Sequence, residues 1–291
     1  MLRKLPGIII YLVLAIIAIM CIMPFLLVLS GSVTLESDIV AYGYRLWPKH
    51  FDLTSYKVLF LDIGTILNGY KISIFVTVVG TFLGLLVCSM LAYPLSRKCL
   101  KYRKAISVYT IVTMLFNGGM VPWFIVCVRF LHLKNNLPAL IVPYLANAWY
   151  VFLLRNYFQT IPEEMHESAK IDGAGELTIF TQIVLRLSTP VLSTVGLFIA
   201  LMYWNDWWLG IMLIDKSDLQ PLQLLLRSIV SNVTFLRSSP NAARMAELSQ
   251  AIPSEGVKMA TCIITIGPIV FLYPFLQKYF VKGIMIGAVK G

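Results

Sequence analysis

An acidic segment stands out in a chain that is otherwise strongly apolar. Residues 162–190 hold five of the fourteen acidic residues. Pro162 and Glu163 suit the first turn of a short helix, where a missing N–H costs nothing and the helix dipole favours negative charge. Thr160 and Glu163 have the spacing of a capping box. Gly173 predicts the end of the helix, because glycine readily takes the left-handed conformation found there. Carboxylates on a short, exposed helix predict docking to another surface.

Sequence patterns that carry catalysis are absent from the chain. It contains no GxxxxGK[ST] loop, no GxSxG and no HExxH, so we expect neither nucleotide binding by the chain itself nor an enzyme. His50, His132 and His166 are scattered, and the five cysteines lack CxxC spacing. We therefore expect no metal site and no cofactor in this chain.

Two groups of polar residues interrupt apolar stretches. Asn117, Gly118 and Gly119 stand just before Pro122, a combination that weakens a helix. Irregular backbone at membrane depth survives only against protein or a water-filled cavity. This site is therefore interpreted either as a structural kink packed on a neighbour or as a bend that lines a transport path.

The second group is Trp204, Asn205 and Asp206, which are followed by Trp207 and Trp208. Aromatic rings beside an amide and a carboxylate suit sugars, because rings stack on apolar sugar faces and polar groups bind hydroxyls. The alternative is an aromatic belt at the outer membrane interface, where tryptophan is enriched.

Composition places these groups in a multi-span membrane protein. The residues are 58% hydrophobic and 13% charged, with a mean hydropathy of +0.80. Six stretches approach the roughly 20 residues that cross a bilayer. In chain order they are Gly7–Leu29, Tyr70–Leu91, Ala105–Leu131, Leu137–Tyr157, Ser188–Ile214 and Val257–Leu276. Gly80 and Gly84 in the second stretch predict close helix packing.

Basic residues set the expected orientation. The residues between spans two and three, 97–104, hold five Lys and Arg residues, and the positive-inside rule places them in the cytoplasm. Both termini and residues 162–187 then lie inside, whereas residues 30–69 and 215–256 lie outside. The net charge of +10 is explained by this topology and by lipid headgroups rather than by nucleic acid.

The acidic segment also resembles a known loop. Glu167-Ser168-Ala169, then Gly173, then Ile183-x-Leu185 resembles the EAA loop of ABC importer membrane subunits. The resemblance implies a coupling helix that seats in the cytoplasmic ATPase. The residues it assigns to coupling are Glu163, Glu164, Glu167, Ser168, Ala169, Asp172 and Gly173. Ser168 replaces the usual alanine. Arg186 replaces the usual proline, so Pro190 alone is expected to break the helix before the next span.

Two further regions resemble the carbohydrate-importing branch of that family. One is the string Trp204-Asn205-Asp206, which together with Asn117, Gly118 and Gly119 is the candidate substrate pathway. The other is the C-terminal tail, which in relatives reaches toward the ATPase pair. Its candidate ATPase-proximal residues are Gln277, Lys278, Lys282 and Lys290. A basic anchor at the inner headgroups is the alternative interpretation of Lys278 and Lys282.

These observations together predict an all-α, six-helix membrane protein with the type I ABC importer permease fold. Residues 1–69 would form the first transmembrane helix and an extracellular segment, and residues 70–291 a core of five transmembrane helices. The core would include the cytoplasmic coupling loop 160–187. The resemblance implies a plasma-membrane permease subunit of an ATP-driven importer for carbohydrate, specifically oligosaccharides of the kind released from polysaccharides.

The same resemblance implies the partners. They are a second permease subunit, two cytoplasmic ATPase subunits that bind ATP and Mg, an extracellular solute-binding protein and membrane lipid. The family favours a heterodimer, although the residues leave a homodimer open, along with the identity of the sugar. Two alternatives remain, namely an ABC permease for a non-sugar solute and a secondary transporter. The secondary transporter is disfavoured because only Asp206 among ionisable residues lies clearly within a predicted span.

Overall fold

The computed structural model of this chain describes residues 5–238 and 255–266. Apart from an isolated antiparallel bridge between Thr34 and Phe51, regular structure in these ranges is helical. The α-helices are α1 (Leu5–Ser32), α2 (Glu36–Tyr42), α3 (Thr54–Leu59), α4 (Ile63–Ser96), α5 (Arg103–Leu115), α6 (Met120–Ile125), α7 (Ala148–Phe158), α8 (Glu163–Ile171), α9 (Glu176–Thr178), α10 (Leu185–Leu187), α11 (Thr189–Trp204), α12 (Trp208–Leu213) and α13 (Leu222–Ser238), followed by α14 over 255–266. The predicted all-α class is confirmed.

Shorter helical turns connect or extend these helices. Turns of 3-10 type are Phe60–Asp62, Leu137–Leu140, Val142–Tyr144 and Ser217–Leu219, and π-helical turns are Val126–Phe130 and Ile179–Val184. The described residues divide into two compact units, one formed by 5–66 with 225–238 and 255–266, and the other by Leu67–Leu224. The division predicted at residue 69 stays a prediction.

The first unit contains α1 and α14. The predicted first span, Gly7–Leu29, is helical, and its side chains from Ile10 onward are largely exposed, as suits a helix surrounded by lipid. The carboxylate of Glu36 accepts hydrogen bonds from the backbone N–H groups of Glu255 and Gly256, at 3.0–3.2 Å. Glu36 therefore satisfies amides at the start of α14.

In the second unit, α4 is 34 residues long and packs closely against α11. A Cβ on Gly80 would lie 2.7 Å from ring atoms of Tyr203, and one on Gly84 would lie 3.4 Å from Ile199. The close packing predicted for Gly80 and Gly84 is confirmed. The buried core of this unit combines α4, α7, α11 and α12 with the helical segment that follows α8.

The third predicted span, Ala105–Leu131, is broken where the sequence predicts weakness. α5 ends at Leu115, and the helical segment Met120–Phe130 leaves at 111° to it. Gly119 takes a φ of 87°, and its N–H donates to the side-chain oxygen of Asn117 at 2.9 Å. The predicted disruption of the helix is confirmed.

The fourth predicted span, Leu137–Tyr157, is not the continuous helix that we expected. Its first half consists of two 3-10 turns, and α7 begins only at Ala148, bent by 51°. Pro138 and Pro143 lie in the first turns of the two 3-10 segments, where proline lacks the N–H that a continuing helix needs. The side chain of Asn147 then caps α7 by accepting from the N–H of Trp149.

The fifth predicted span, Ser188–Ile214, has one helix break at its start and a second one inside it. The helical segment that includes Arg186 ends at Leu187, and α11 starts at Thr189 with a bend of 84°. Pro190 lies in the first turn of α11, so the break expected from Pro190 is confirmed. α11 ends at Trp204, and α12 begins at Trp208, which corrects the expectation of one helix to Ile214. Only residues 257–266 of the sixth span lie in the described part of the chain.

Candidate functional site

The acidic helix α8 is held to the rest of its unit at its first residue. Nη2 of Arg97 lies 2.9 Å from a carboxylate oxygen of Glu163. The Arg97 side chain is nearly buried, whereas Glu163 is half-exposed, so the pair contributes more than a freely exposed ion pair would. It fixes the start of α8 beside the end of α4.

The predicted capping box at this end of α8 is wrong. The residue before the helix is Pro162, and no side chain caps it. The hydroxyl of Thr160 instead donates to the carbonyl of Tyr157 at 2.7 Å. The carboxylate of Glu163 pairs with Arg97 instead, because the full positive charge of the guanidinium attracts it more strongly than a neutral backbone N–H would.

The C-terminal end of α8 is the glycine stop that the sequence predicts. Gly173 has a φ of 79°. Its N–H donates to the carbonyl of Lys170 at 3.0 Å, and the N–H of Ala174 donates to that of Ala169 at 2.9 Å. These two bonds form a Schellman motif. No neighbouring atom would obstruct a Cβ on Gly173, so the requirement for glycine is purely conformational.

An acidic residue beyond the turn ties α8 to the next helical segment. A carboxylate oxygen of Glu176 lies 2.7 Å from Nζ of Lys170, and the hydroxyl of Tyr93 donates to the other oxygen. Hydrogen bonds from Lys170 and then Tyr93 lower the pKa of Glu176 below its ordinary value. The turn after α8 is therefore anchored on both sides, although sequence reasoning did not single out Glu176.

A buried histidine lies on the inner face of α8. His166 is only 3% exposed, and its ring centroid lies 6.3 Å from that of Tyr93. Its Nδ1 has no hydrogen-bond partner within the described part of the chain. Burial, with the charge of Arg97 as a second cause, lowers the pKa of His166 below its ordinary value. His166 and Ala169 are three residues apart, so they lie on the same buried face of α8. This face was not predicted from the sequence, where the histidines were considered only as metal ligands.

The outer face of this segment combines acidic and apolar side chains. Ile171 is 86% exposed and Leu177 is 72% exposed, although both lie outside the predicted spans. Of the predicted coupling residues, Ala169 is buried and the others are exposed; these are Glu163, Glu164, Glu167, Ser168, Asp172 and Gly173. We call the exposed surface of residues 163–177 the acidic turn. Apolar side chains that protrude outside the membrane are typical of a protein-binding surface.

A separate cleft of about 290 Å³ lies where the third, fourth and fifth spans meet. It is lined by Asn117, Gly119, Met120, Trp123, Tyr144 and Trp208. Asn117 and Gly119 were predicted for the pathway from sequence, whereas Met120, Trp123 and Tyr144 were not. The signal that could have found Tyr144 is Pro143, whose break of the fourth span places the tyrosine at a kink. We call this site the aromatic cleft.

Asp206 lies directly behind the aromatic cleft. Its Oδ1 accepts a hydrogen bond from the hydroxyl of Tyr144 at 2.9 Å, and its Oδ2 accepts one from the N–H of Leu209 at 3.1 Å. The second bond satisfies a free amide in the first turn of α12. Asp206 therefore orients a lining tyrosine and starts a helix.

The sequence also leaves open an ion pair of Asp206 with Lys216 or Lys258, but the described partners of its carboxylate are neutral groups. Lys258 lies 2.9 Å from Glu255, and the carboxylate of Asp206 meets Tyr144 and the start of α12. Trp204 is buried, with its ring 6.4 Å from that of Tyr70. Trp204, Asn205 and Gly118 are not among the residues that line the aromatic cleft.

No group of three His, Cys, Asp or Glu side chains in 5–238 and 255–266 could hold a metal ion. The tail residues Gln277, Lys278, Lys282 and Lys290 lie outside the described residues.

Comparison with known proteins identifies the family of this chain. Residues 80–286 match the model of the family described as the binding-protein-dependent transport system inner membrane component. The chain belongs to this family. Membership makes it a multi-pass component of the cell membrane that functions in general with another permease subunit, an ATPase and a solute-binding protein. The family is a transport component, and the type I importer permease fold predicted from the sequence is confirmed.

Relatives match nearly the whole chain. It is 38% identical over 291 residues to the polygalacturonan/rhamnogalacturonan transport system permease protein YtcP of Bacillus subtilis, covering 99% of both chains. It is 41% identical over 271 residues to protein LplC of the same organism, covering 93% of this chain and 90% of the relative. A solved bacterial ABC transporter that imports the acidic polysaccharide alginate contains a chain with a TM-score of 0.80 and 28% identity, with 95% of this chain and 97% of that chain covered.

Proposed function

We propose that this chain is the permease subunit of an ATP-driven importer for oligosaccharides derived from plant or algal polysaccharides. It forms half of the translocation path and pairs with a second, different permease subunit. Two cytoplasmic ATPase subunits bind ATP and Mg, and an extracellular solute-binding protein delivers the sugar. The similarity to YtcP over the full length supports the substrate class, since that protein's name refers to polygalacturonan and rhamnogalacturonan transport.

The observation that carries the proposal is the acidic turn. The Arg97–Glu163 ion pair and the hydrogen bond from Tyr93 to Glu176 attach it to the end of α4, and its outer side presents Ile171. A surface that is rigidly attached to the membrane core and apolar outside it can transmit movement from a partner. We assign the exposed residues among those predicted for coupling to contact with the ATPase, on the cytoplasmic side where both termini also lie; they are Glu163, Glu164, Glu167, Ser168, Asp172 and Gly173.

The aromatic cleft is the proposed contact for sugar. Trp123, Tyr144 and Trp208 provide ring faces, and Asn117 provides an amide beside them. Rings that stack on apolar sugar faces and an amide that binds hydroxyls match the chemistry of an oligosaccharide. The breaks at Gly119 and Pro143 create the space, because continuous helices would pack there.

The energy source tests the transport class. Cells that express the complete importer are given a labelled oligogalacturonide, and the proton and sodium gradients are collapsed by ionophores at constant cellular ATP. We expect uptake to continue. Immediate loss of uptake while ATP is unchanged would contradict the proposal and favour a secondary transporter.

The acidic turn is tested by polar substitutions on its outer side. Ile171→Ser and Leu177→Ser should reduce sugar-stimulated ATP hydrolysis by the purified importer. The matched control is Leu187→Ser, which replaces an exposed leucine beyond the turn. Equal ATP hydrolysis by all three variants and the native importer would contradict the assignment of the turn to coupling.

A further inference from the structure

A second large cleft lies between the start of α5 and the end of α7, with a volume of about 630 Å³. Five cations line it, namely Lys98, Lys101, Arg103, Lys104 and Arg155. We call it the basic cleft. None of the described residues that line it is acidic. The cleft therefore concentrates positive charge that its own walls do not neutralise.

The two arginines of the basic cleft are held together by neutral groups. Nε of Arg103 and Nε of Arg155 both donate to the carbonyl of Leu95, at 3.0 and 3.1 Å. With its amide oxygen turned toward them, Gln159 accepts from both arginines as well. Like charges fixed side by side repel each other, and shared neutral acceptors offset this only in part. An anion in the cleft would stabilise the arrangement.

The neighbouring cleft at the start of α8 provides a contrast. It has a volume of about 450 Å³ and includes Arg97, Lys98 and Arg103 among its lining residues, but it also includes Glu163 and Glu164. Its cations thus have carboxylates of this chain nearby. Lys98 and Arg103 line both clefts and have these carboxylates nearby, so the uncompensated cations of the basic cleft are Lys101, Lys104 and Arg155. None of the described residues that line the cleft supplies a counter-ion for them, and a bound ligand would.

An unsatisfied hydroxyl supports a ligand in the basic cleft independently of charge. Ser107 lines the cleft and is 8% exposed, and its Oγ has no hydrogen-bond partner in the described part of the chain. A buried polar group without a partner is unfavourable. A ligand with oxygen acceptors would satisfy this hydroxyl.

The surface that continues from the cleft identifies the source of the anion. α5 begins at Arg103, and its next turns expose Val108, Tyr109 and Val112. The change from cations to exposed apolar side chains within one helix places the cleft at headgroup depth. A soluble anion would gain nothing from contact with this apolar surface, whereas the acyl chains of a lipid can pack along it.

We propose that the basic cleft is a binding site for the phosphate group of an anionic membrane phospholipid. The phosphate oxygens accept hydrogen bonds from Lys101 and Lys104, and the acyl chains lie along the exposed face of α5. The N-terminal end of α5 adds its positive dipole to the site. Basic pockets beside transmembrane helices bind anionic headgroups in this manner. Such a lipid would fix the position of α5 next to the end of α4.

Native mass spectrometry of the purified full chain in non-ionic detergent tests this site. Phosphatidylglycerol is added in one arm and phosphatidylcholine with the same acyl chains in the other. We expect one retained phosphatidylglycerol per chain and no comparable retention of phosphatidylcholine. Lys101→Gln combined with Lys104→Gln should weaken phosphatidylglycerol binding on the order of 30-fold, from about 1 kcal/mol for each lysine near an anionic surface.

The matched control removes the same charge elsewhere. Arg186→Gln combined with Lys216→Gln replaces two exposed cations outside the cleft and should leave phosphatidylglycerol retention unchanged. Equal weakening by both double variants would overturn the proposal, as would equal retention of the two lipids by the native chain. In a third arm, displacement of phosphatidylglycerol by millimolar inorganic phosphate would identify a soluble anion as the ligand and would also overturn it.

Thermal unfolding provides a second measurement on the same samples. Phosphatidylglycerol should raise the unfolding temperature of the native chain and of the control, but not that of the Lys101 and Lys104 double variant. Because Lys101 and Lys104 are exposed, their replacement leaves the fold intact. An equal rise in all three samples would contradict binding in the basic cleft.

Discussion

The hydroxyl of Tyr144 donates a 2.9 Å hydrogen bond to Asp206, and this contact joins the broken fourth span to the broken fifth span. Tyr144 lines the aromatic cleft, and Asp206 lies behind it while also accepting from the N–H of Leu209. The carboxylate therefore acts on the cleft through the tyrosine. Asp206 is a positioning residue in the proposed sugar path.

This contact predicts coupled effects of two substitutions. Tyr144→Phe and Asp206→Asn each disturb the same hydrogen bond, so their effects on uptake should be less than additive in the double variant. Each single change should lower the stability of the purified chain by about 1 kcal/mol. The measurements are uptake of two oligosaccharides of different length and the unfolding temperature in detergent.

The pattern across sugars separates positioning from a purely structural role. If Tyr144 is positioned for sugar contact, the loss of uptake should differ between the two oligosaccharides at equal abundance of the variants. Tyr157→Phe is the control, because the hydroxyl of Tyr157 donates to the carbonyl of Leu187 and Tyr157 does not line the cleft. Equal losses of uptake for both sugars, in proportion to the loss of stability, would show that Asp206 only caps α12 and does not position Tyr144 for sugar.

The packing of α4 on α11 gives a prediction about stability. A Cβ on Gly80 would lie 2.7 Å from the ring of Tyr203, whose hydroxyl donates to the carbonyl of Ile141 and cannot move freely. Gly80→Ala should therefore destabilise the chain by about 1–3 kcal/mol, as overpacking does. The unfolding temperature of the purified chain measures this effect.

Gly196→Ala is the matched control for this substitution. Its Cβ would meet Leu85 at 3.6 Å, which is an ordinary van der Waals contact. This variant should unfold close to the native temperature. Similar unfolding temperatures for the two alanine variants would contradict the prediction, because they would show that the ring of Tyr203 moves to make room for the Cβ on residue 80.

Local signals made much of the fold predictable from the sequence. Gly173 as a helix stop and the break near Gly119 follow from backbone conformations that each residue favours or forbids. The capping box at Thr160 was wrong because a distant residue, Arg97, competes for Glu163. A pattern confined to neighbouring positions contains no information about such a partner.

The aromatic cleft shows the same limit. Asn117 and Gly119 were identified from their own segment, but Tyr144 joins them only because the third and fourth spans both break. A long apolar stretch predicts a helix of membrane length, and the breaking effect of Pro143 inside the fourth stretch was not taken into account. The fourth span was therefore predicted as continuous. The partners of Asp206 were missed for the same reason, since they depend on that break.

The buried histidine of α8 predicts a dependence on pH. Burial lowers the pKa of His166, and Arg97 adds to this, while Glu163 and Glu176 oppose it. The unfolded chain therefore binds the proton more readily than the folded chain. The stability that the neutral histidine contributes is fully present above its ordinary pKa of about 6.5. This contribution is lost as the pH falls below that value.

His166→Phe should remove this dependence while keeping a ring beside Tyr93. The unfolding temperature of the purified chain is measured at pH 7.5 and 5.5. The native chain should lose more stability between these values than the variant does. His132→Asn, which replaces an exposed histidine, should behave like the native chain. An unchanged pH dependence in His166→Phe would assign the effect to other groups.

The conformation of Gly173 gives the sharpest test of the acidic turn. A β-branched residue at a φ of 79° is strained by roughly 1–2 kcal/mol, whereas asparagine tolerates the left-handed region. Because nothing would touch a Cβ there, size is not the cause of the difference. Gly173→Val should therefore lose the Schellman end of α8, and Gly173→Asn should keep it.

Loss of that end would displace Ile171 relative to Glu176, which follows the turn. Gly173→Val should abolish sugar uptake and sugar-stimulated ATP hydrolysis while the subunit remains inserted at normal abundance. Gly175→Ala is the control, since Gly175 has an ordinary φ of −74° and open space for a Cβ. If Gly173→Val supports the same ATP hydrolysis as Gly173→Asn, the geometry of the turn does not matter for coupling. The ATPase would then have to recognise this chain through another surface.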